Sequence, residues 1–269
     1  MSRQITICTN CNNKFIGKFY SRCGEKKLSE TDFTTKAIIG EAFGAVTNLD
    51  LKLLKTFRQL LKNPGTLTKK YVSGQHVSFL KPFQIFLICN IIFFIFLANT
   101  DLFRTPSKWF FTQDFDFYGT KVMIDVEKIM AAKQLTLEEA KIKYDSISSD
   151  LSKSLLVLLI PFIALVGLLI NYKMRFGKHL IFATYFFSLL LLATTILYLI
   201  TTNIPVPNKW YFIFPVIATT LFYYVISIKG FYNKNLLASI FYAIIGIFIL
   251  SIFIGFYRSF INIISLNLL

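Results

Sequence analysis

Five stretches of the chain stay apolar long enough to cross a membrane as helices: Leu80 to Ala98, Ser154 to Asn171, His179 to Thr201, Trp210 to Ile228 and Leu236 to Phe256. A hydrocarbon core of about 30 Å takes about 20 helical residues, so the first stretch is the shortest that qualifies. Pro82 suits its first turn, where a helix needs no backbone donor, and Trp210 and Tyr211 open the fourth as interfacial aromatics do. Between the first two stretches, Thr136 and Glu139 form an S/T-x-x-E capping box, which predicts a helix leading toward the second span. Before the first, residues 50–62 read DLKLLKTFRQLLK. Leu53, Leu54, Phe57, Leu60 and Leu61 recur there at helical spacing, bordered by Lys52, Lys55, Arg58 and Lys62, and Pro64-Gly65 ends the pattern. That helix has two readings, one lying in the interface against anionic lipid and one packed on the bundle.

Composition agrees with this pattern. Of the 269 residues 55% are hydrophobic, 17% aromatic and 16% charged, whereas a water-surrounded domain carries about 25% charged residues. The chain reads as an all-α integral membrane protein with five transmembrane helices.

Charge sets the orientation. All fourteen acidic residues precede Leu151. The loop from Asn171 to Lys178 carries Lys173, Arg175 and Lys178, and the link after the fourth span carries Lys229 and Lys234, while Thr202 to Lys209 carries one Lys. Lys and Arg mark cytoplasmic loops, which predicts a cytoplasmic N terminus and an extracytoplasmic C terminus. The net charge of +15 is thereby topological, and no nucleic-acid partner is expected.

Before the spans, Cys8, Cys11 and Cys23-Gly24 have the spacing of a zinc-ribbon hairpin, with Tyr20 where a fourth ligand belongs. No apolar leader precedes it, which places it in the cytosol. Zinc is the cofactor these cysteines point to. Three readings stay open: no metal, with Tyr20 packing a degenerate knuckle; three cysteines with water or Glu25; and a clasp through His76 or His179. Cys89 reads as a small hydrophobe in the first span.

The organisation that follows is a degenerate zinc-ribbon knuckle over 1–30, cytosolic amphipathic helices over 31–78, a first span over 79–99, an extracytoplasmic loop domain over 100–153 and four further spans over 154–269. Residues 63–87, NPGTLTKKYVSGQHVSFLKPFQIFL, read as a re-entry segment. Gly65 allows the turn after Pro64, Gly74 frees the backbone, Lys81-Pro82 launches the first span, and Tyr71 and Phe79 wedge at the interface. Lys69, Lys70, His76 and Lys81 are candidates for holding a lipid phosphate or other anion.

The knuckle, the amphipathic helix and Pro64, Gly65, Tyr71, Gly74, Phe79, Pro82 and Phe83 together resemble an uncharacterised family of bacterial multi-pass membrane proteins, a domain-of-unknown-function family with an N-terminal zinc-ribbon knuckle. The resemblance covers roughly the first hundred residues. It implies an inner-membrane location and a helical fold, and no activity. The chain departs from it at Phe19-Tyr20-Ser21-Arg22-Cys23-Gly24, where the family has Phe-Cys-x-x-Cys-Gly.

No Asp, Glu, Lys or Arg lies in the interior of a span, and neither His76 nor His179 belongs to a catalytic constellation, so neither catalytic nor cofactor-binding residues are assigned and no enzyme is expected. Asn90, Thr184, Ser188, Thr194, Thr195, Thr219 and Thr220 are candidates to line a path, which keeps a small-solute or lipid transporter as the alternative. The favoured reading is an interaction or scaffold protein with a cytosolic recruitment module, partnered by the bilayer, anionic head groups and other proteins.

Overall fold

The chain divides into two compact units, Met1–Lys52 and Leu53–Leu269. The structure is a computed structural model and describes residues 6–7, 14–15, 51–76, 78–97, 100–111, 119–202 and 210–269. In the first unit two short antiparallel strands, β1 (Thr6–Ile7) and β2 (Lys14–Phe15), pair Thr6 with Phe15 and Ile7 with Lys14. Cys8, Cys11, Tyr20, Cys23 and Glu25, and with them the zinc-ribbon assignment, lie outside the described residues.

The second unit is all helical among the described residues. A helix over 51–62, α1, enters it. There follow α2 (Pro64–Val72), α3 (Pro82–Phe96), α4 (Ser107–Phe110), α5 (Gly119–Lys133), α6 (Leu137–Ser154), α7 (Leu159–Ile170), α8 (Phe176–Thr202), α9 (Trp210–Tyr232) and α10 (Leu236–Leu268). Four continuous helical runs among the described residues are long and apolar enough to span a membrane: Leu137–Ile170, Phe176–Thr201, Phe212–Tyr232 and Leu236–Leu268. The protein is a multi-pass membrane protein. The fifth expected span is α3, apolar but only 15 residues long, which is about 22 Å against a core of about 30 Å.

Two elements run further than their apolar stretches. Thr136 caps α6 as its sequence predicts, its side chain accepting from Glu139 N while Glu139 reaches back to Thr136 N at 2.8 Å. The helix that starts there does not stop at the membrane. A 3-10 turn at Leu155–Leu158 joins it directly to α7, making one run of 34 residues. Likewise α10 continues past Phe256 for three more turns, because Tyr257, Ile261 and Ser265 on one of its faces are buried.

Helix α8 is the centre of the bundle and packs against α2, α3, α7 and α9. Its Phe182, Tyr185, Phe186 and Phe187 are fully buried. Phe186 stacks on Tyr224 of α9 at 4.4 Å, Phe182 on Phe231 at 5.3 Å, and Phe187 on Phe86 of α3 at 5.9 Å. Buried aromatics of this size dominate core energetics, and each stacked pair adds about 0.5–1.5 kcal/mol beyond its area.

At one end of the bundle α1 lies on this core. Leu60 and Thr56 are fully buried, with Leu53 and Phe57 packed beside them, whereas Leu54 remains 64% exposed. Packing on the bundle therefore accounts for one side of the apolar stripe. Phe79 is buried rather than wedged at a surface, with the Lys55 ammonium 5.2 Å over its ring.

Gly65 serves close approach, not a turn. Asn63 caps α2, its side chain accepting from Thr66 N at 3.0 Å, and Pro64 takes the first helical position, so Gly65 is already helical. A Cβ there would meet the Ser227 carbonyl oxygen and Phe231 N of α9, and a Cβ on Gly230 would lie 2.9 Å from Asn63 Oδ1. The two helices cross glycine on glycine. Gly74 carries the left-handed backbone of this region, with φ at 105°.

Gly65→Ala is expected to destabilise the detergent-solubilised protein by about 1–3 kcal/mol, since backbone cannot yield to the methyl group. Gly177, in the first turn of α8, is the control, because a methyl group added there would meet nothing within 4 Å. Gly177→Ala should be neutral or stabilising by up to about 1 kcal/mol. Thermal unfolding of the two variants beside the parent checks the pair.

Candidate functional site

Partly buried charge collects at the far end of the bundle from α2, where residues 100–111 cross between α6 and α10. Arg104 is its hub, with only 14% of its side chain exposed. Its Nη1 donates to Asp145 Oδ1 at 2.6 Å and to Ser148 Oγ at 3.0 Å. Its Nη2 lies 2.6 Å from Asp101 Oδ1, an ion pair without hydrogen-bond alignment. Asp145 also accepts from Ser107 N at 2.9 Å and Ser107 Oγ at 2.7 Å. From α10, Arg258 Nη2 donates to the Arg104 carbonyl at 2.8 Å, and Asn262 Oδ1 accepts from Thr105 N at 3.4 Å.

The remaining bonds fasten α6 to its neighbours. Tyr144 donates its hydroxyl to the Thr105 carbonyl at 3.1 Å, and Tyr257 of α10 donates to the Ser152 carbonyl at 2.7 Å. Phe110 and Phe111 each sit 5.1 Å from the Tyr144 ring, over a small core that includes Val126, Ala140, Leu266 and Leu269. Seven charged residues keep α6 itself out of hydrocarbon. Burial alone would raise the Asp145 carboxyl, but the hydrogen bonds from Ser107 and Arg104 outweigh it and hold the group below its ordinary value. A carboxylate accepting this many bonds is a fixed anchor rather than a proton acceptor.

None of these residues was a sequence candidate. The signal was present in Arg258, the one charge after Lys234 in an otherwise apolar stretch, since a charge beside a span requires a partner.

Of the residues expected to hold an anion, two have partners of their own. Lys69 donates to Asn233 Oδ1 at 3.0 Å, and His76 sits edge-on to Tyr71 at 4.4 Å. Lys70 and Lys81 join neither contact. His179 is fully buried, its Nδ1 2.8 Å from the Tyr232 hydroxyl and its Nε2 without a hydrogen bond. Among the described residues no group of three His, Cys, Asp or Glu could hold a metal ion.

Four of the six hydroxyls expected along a path turn back on their own helices. Thr184 donates to Leu180 O, Ser188 to Thr184 O, Thr195 to Leu191 O and Thr220 to Val216 O, all within 2.8 Å. A void of about 10 Å³ remains beside Thr194 and Thr219, between α8 and α9, which is room for about one water. A larger groove of about 380 Å³ lies between α7 and α10, lined by Leu158, Pro161, Phe162, Phe253, Phe256, Tyr257 and Phe260.

Asp145→Asn should loosen residues 100–111 by roughly 1 kcal/mol, because the pair is partly exposed and screened. Since the folded carboxyl is depressed, its contribution is full above the unfolded value of about 3.9 and is lost as pH falls through the folded one. Hydrogen exchange of the 100–111 amides should therefore be constant in opening free energy from pH 5 to 8 and rise only below about pH 4, and Asp145→Asn should remove that acid dependence.

Neither a curated protein nor a solved structure matches the chain. Residues 50–94, which hold α1, α2, the Gly74 turn and nearly all of α3, match the model of a family described as Protein of unknown function (DUF3667).

Proposed function

We propose that the protein is a membrane-anchored interaction or scaffold protein of the bacterial inner membrane, with its cysteine knuckle as a cytosolic recruitment module. One observation carries this reading: most of the hydroxyls inside the spans are bonded within the protein rather than facing a shared path. The hydroxyls of Thr184, Ser188, Thr195 and Thr220 close on their own helices, and those of Tyr185 and Tyr257 close on carbonyls of neighbouring segments. In this reading α3 is a fifth crossing, the N terminus is cytoplasmic and the C terminus extracytoplasmic. The contact of α10 with α6 supports the four later crossings, since an even number must separate two segments on one side, and α7, α8, α9 and α10 supply four. Lys69, Lys70, His76 and Lys81 together face anionic head groups, and the exposed Leu54 flank of α1 dips into the same interface.

Reconstitution into liposomes tests the reading against its rival. Ion and small-solute flux is expected to equal that of protein-free vesicles. Saturable flux would make the protein a transporter instead.

The knuckle is proposed to pack on Tyr20 without metal, phenol being a poor zinc ligand at neutral pH. Elemental analysis of purified protein should give equal, near-background zinc for the parent and Cys11→Ser. Stoichiometric zinc lost in the variant would restore Cys8, Cys11 and Cys23 as ligands.

A further inference from the structure

Helices α8 and α9 run antiparallel, and their aromatic contacts set the register between them. Phe186 meets Tyr224 at 4.4 Å, and Tyr198 meets Phe212 at 5.9 Å. Twelve residues along α8 therefore match twelve along α9, and Thr194 falls opposite the turn that runs from Val216 to Thr219. Thr194 is only 4% exposed. It and Thr219 border the same space of about 10 Å³ between the helices, with Phe186, Leu190, Val216 and Tyr223 among the other walls.

Each helix brings two adjacent threonines to this level. In each pair one hydroxyl closes on its own helix: Thr195 donates to Leu191 O at 2.8 Å and Thr220 to Val216 O at 2.7 Å. The other members, Thr194 and Thr219, border the shared space instead. A hydroxyl without a partner is costly in hydrocarbon, and acyl chains have neither donor nor acceptor to offer it. Two hydroxyls that meet at one space from facing helices call for a polar partner lying between them.

We propose that this space is a binding site for one ordered water, hydrogen-bonded to Thr194 of α8 and to Thr219 of α9. Its size is about one probe sphere, which admits a water and no larger solute. None of the side chains that line it is charged, so a cation finds no counter-charge there, and an apolar occupant leaves both hydroxyls unpaired. Water both donates and accepts, as each hydroxyl does, so either orientation of the threonines is satisfied. The bridge gives α8 and α9 a second polar tie. The first is the contact of His179 Nδ1 with the Tyr232 hydroxyl at 2.8 Å, about 22 Å away along α8, and the stacked rings fill the stretch between.

X-ray irradiation of the full-length protein in detergent tests the site directly, since it makes hydroxyl radicals from bound water where that water sits. Oxidation is read residue by residue by mass spectrometry. Phe186 should be oxidised, while Phe187, as deeply buried but stacked on Phe86 of α3, should not. The double variant Thr194→Val with Thr219→Val should lose the oxidation of Phe186. Thermal unfolding supplies a second readout. Each single variant should lower the midpoint, because the water and the remaining hydroxyl are left short of a partner, whereas the double variant should return toward the parent, both polar groups having been replaced by apolar ones of the same shape. An unoxidised Phe186 in the parent overturns the proposal even where a variant fails to fold. So do single variants as stable as the parent, or losses that simply add in the double variant.

Discussion

Between α2 and α3 the chain gives up helical hydrogen bonding at the edge of a solvent that offers no replacement, and Leu80 is where both of its loose backbone groups are recovered. Its N–H goes to Thr56 Oγ at 3.0 Å and its carbonyl accepts from Tyr185 at 2.8 Å. Every spanning segment faces this demand that backbone polar groups be paired within the protein. Here one residue ties α1, the entry to α3 and the central helix α8 together. Thr56 and Leu60 are buried beside that junction, and α3 starts two residues beyond it at Pro82.

Periodicity carried the reading as far as local rules reach. Residues 136 to 139 announce a helix because a capping box is a contact between neighbours in sequence, and Pro82 and Gly74 have the roles their backbone preferences require. Gly65 could be misread as a turn residue because the atoms that demand a glycine there belong to Ser227 and Phe231, about 160 residues away. The end of α7 was legible, but its start was not, since a helix crosses from water to lipid without a break whenever its residues change polarity gradually. The bond of Lys69 to Asn233 was hidden for a related reason: spacing in sequence says little about which way a lysine turns once α2 is laid against α9.

The Arg104 cluster was the least legible part, because it draws on α6 and α10 and on residues 101–107, each unremarkable alone. Its logic is cumulative. A buried guanidinium is tolerable only when several acceptors converge on it, and removing one partner leaves the others exposed to the same cost. Such a cluster specifies geometry more than it adds stability. It sets where residues 100–111 cross α10, and so where Phe110 and Phe111 meet Tyr144.

The small core around Tyr144 has a consequence for the order in which the protein is made. Its other wall is Leu266, at the end of α10. Ribosomes add roughly 5–20 residues per second, so Tyr144 waits roughly 6–25 s for that wall to be synthesised. During that interval α6 is already joined to α7, while Phe110, Phe111 and Tyr144 lack the cover of Leu266 and Leu269 and Arg104 lacks Arg258. Helix α10, made after every other element of this core, is thus the one that closes it. Until it does, the half-built chain displays an aromatic surface that a membrane chaperone can hold.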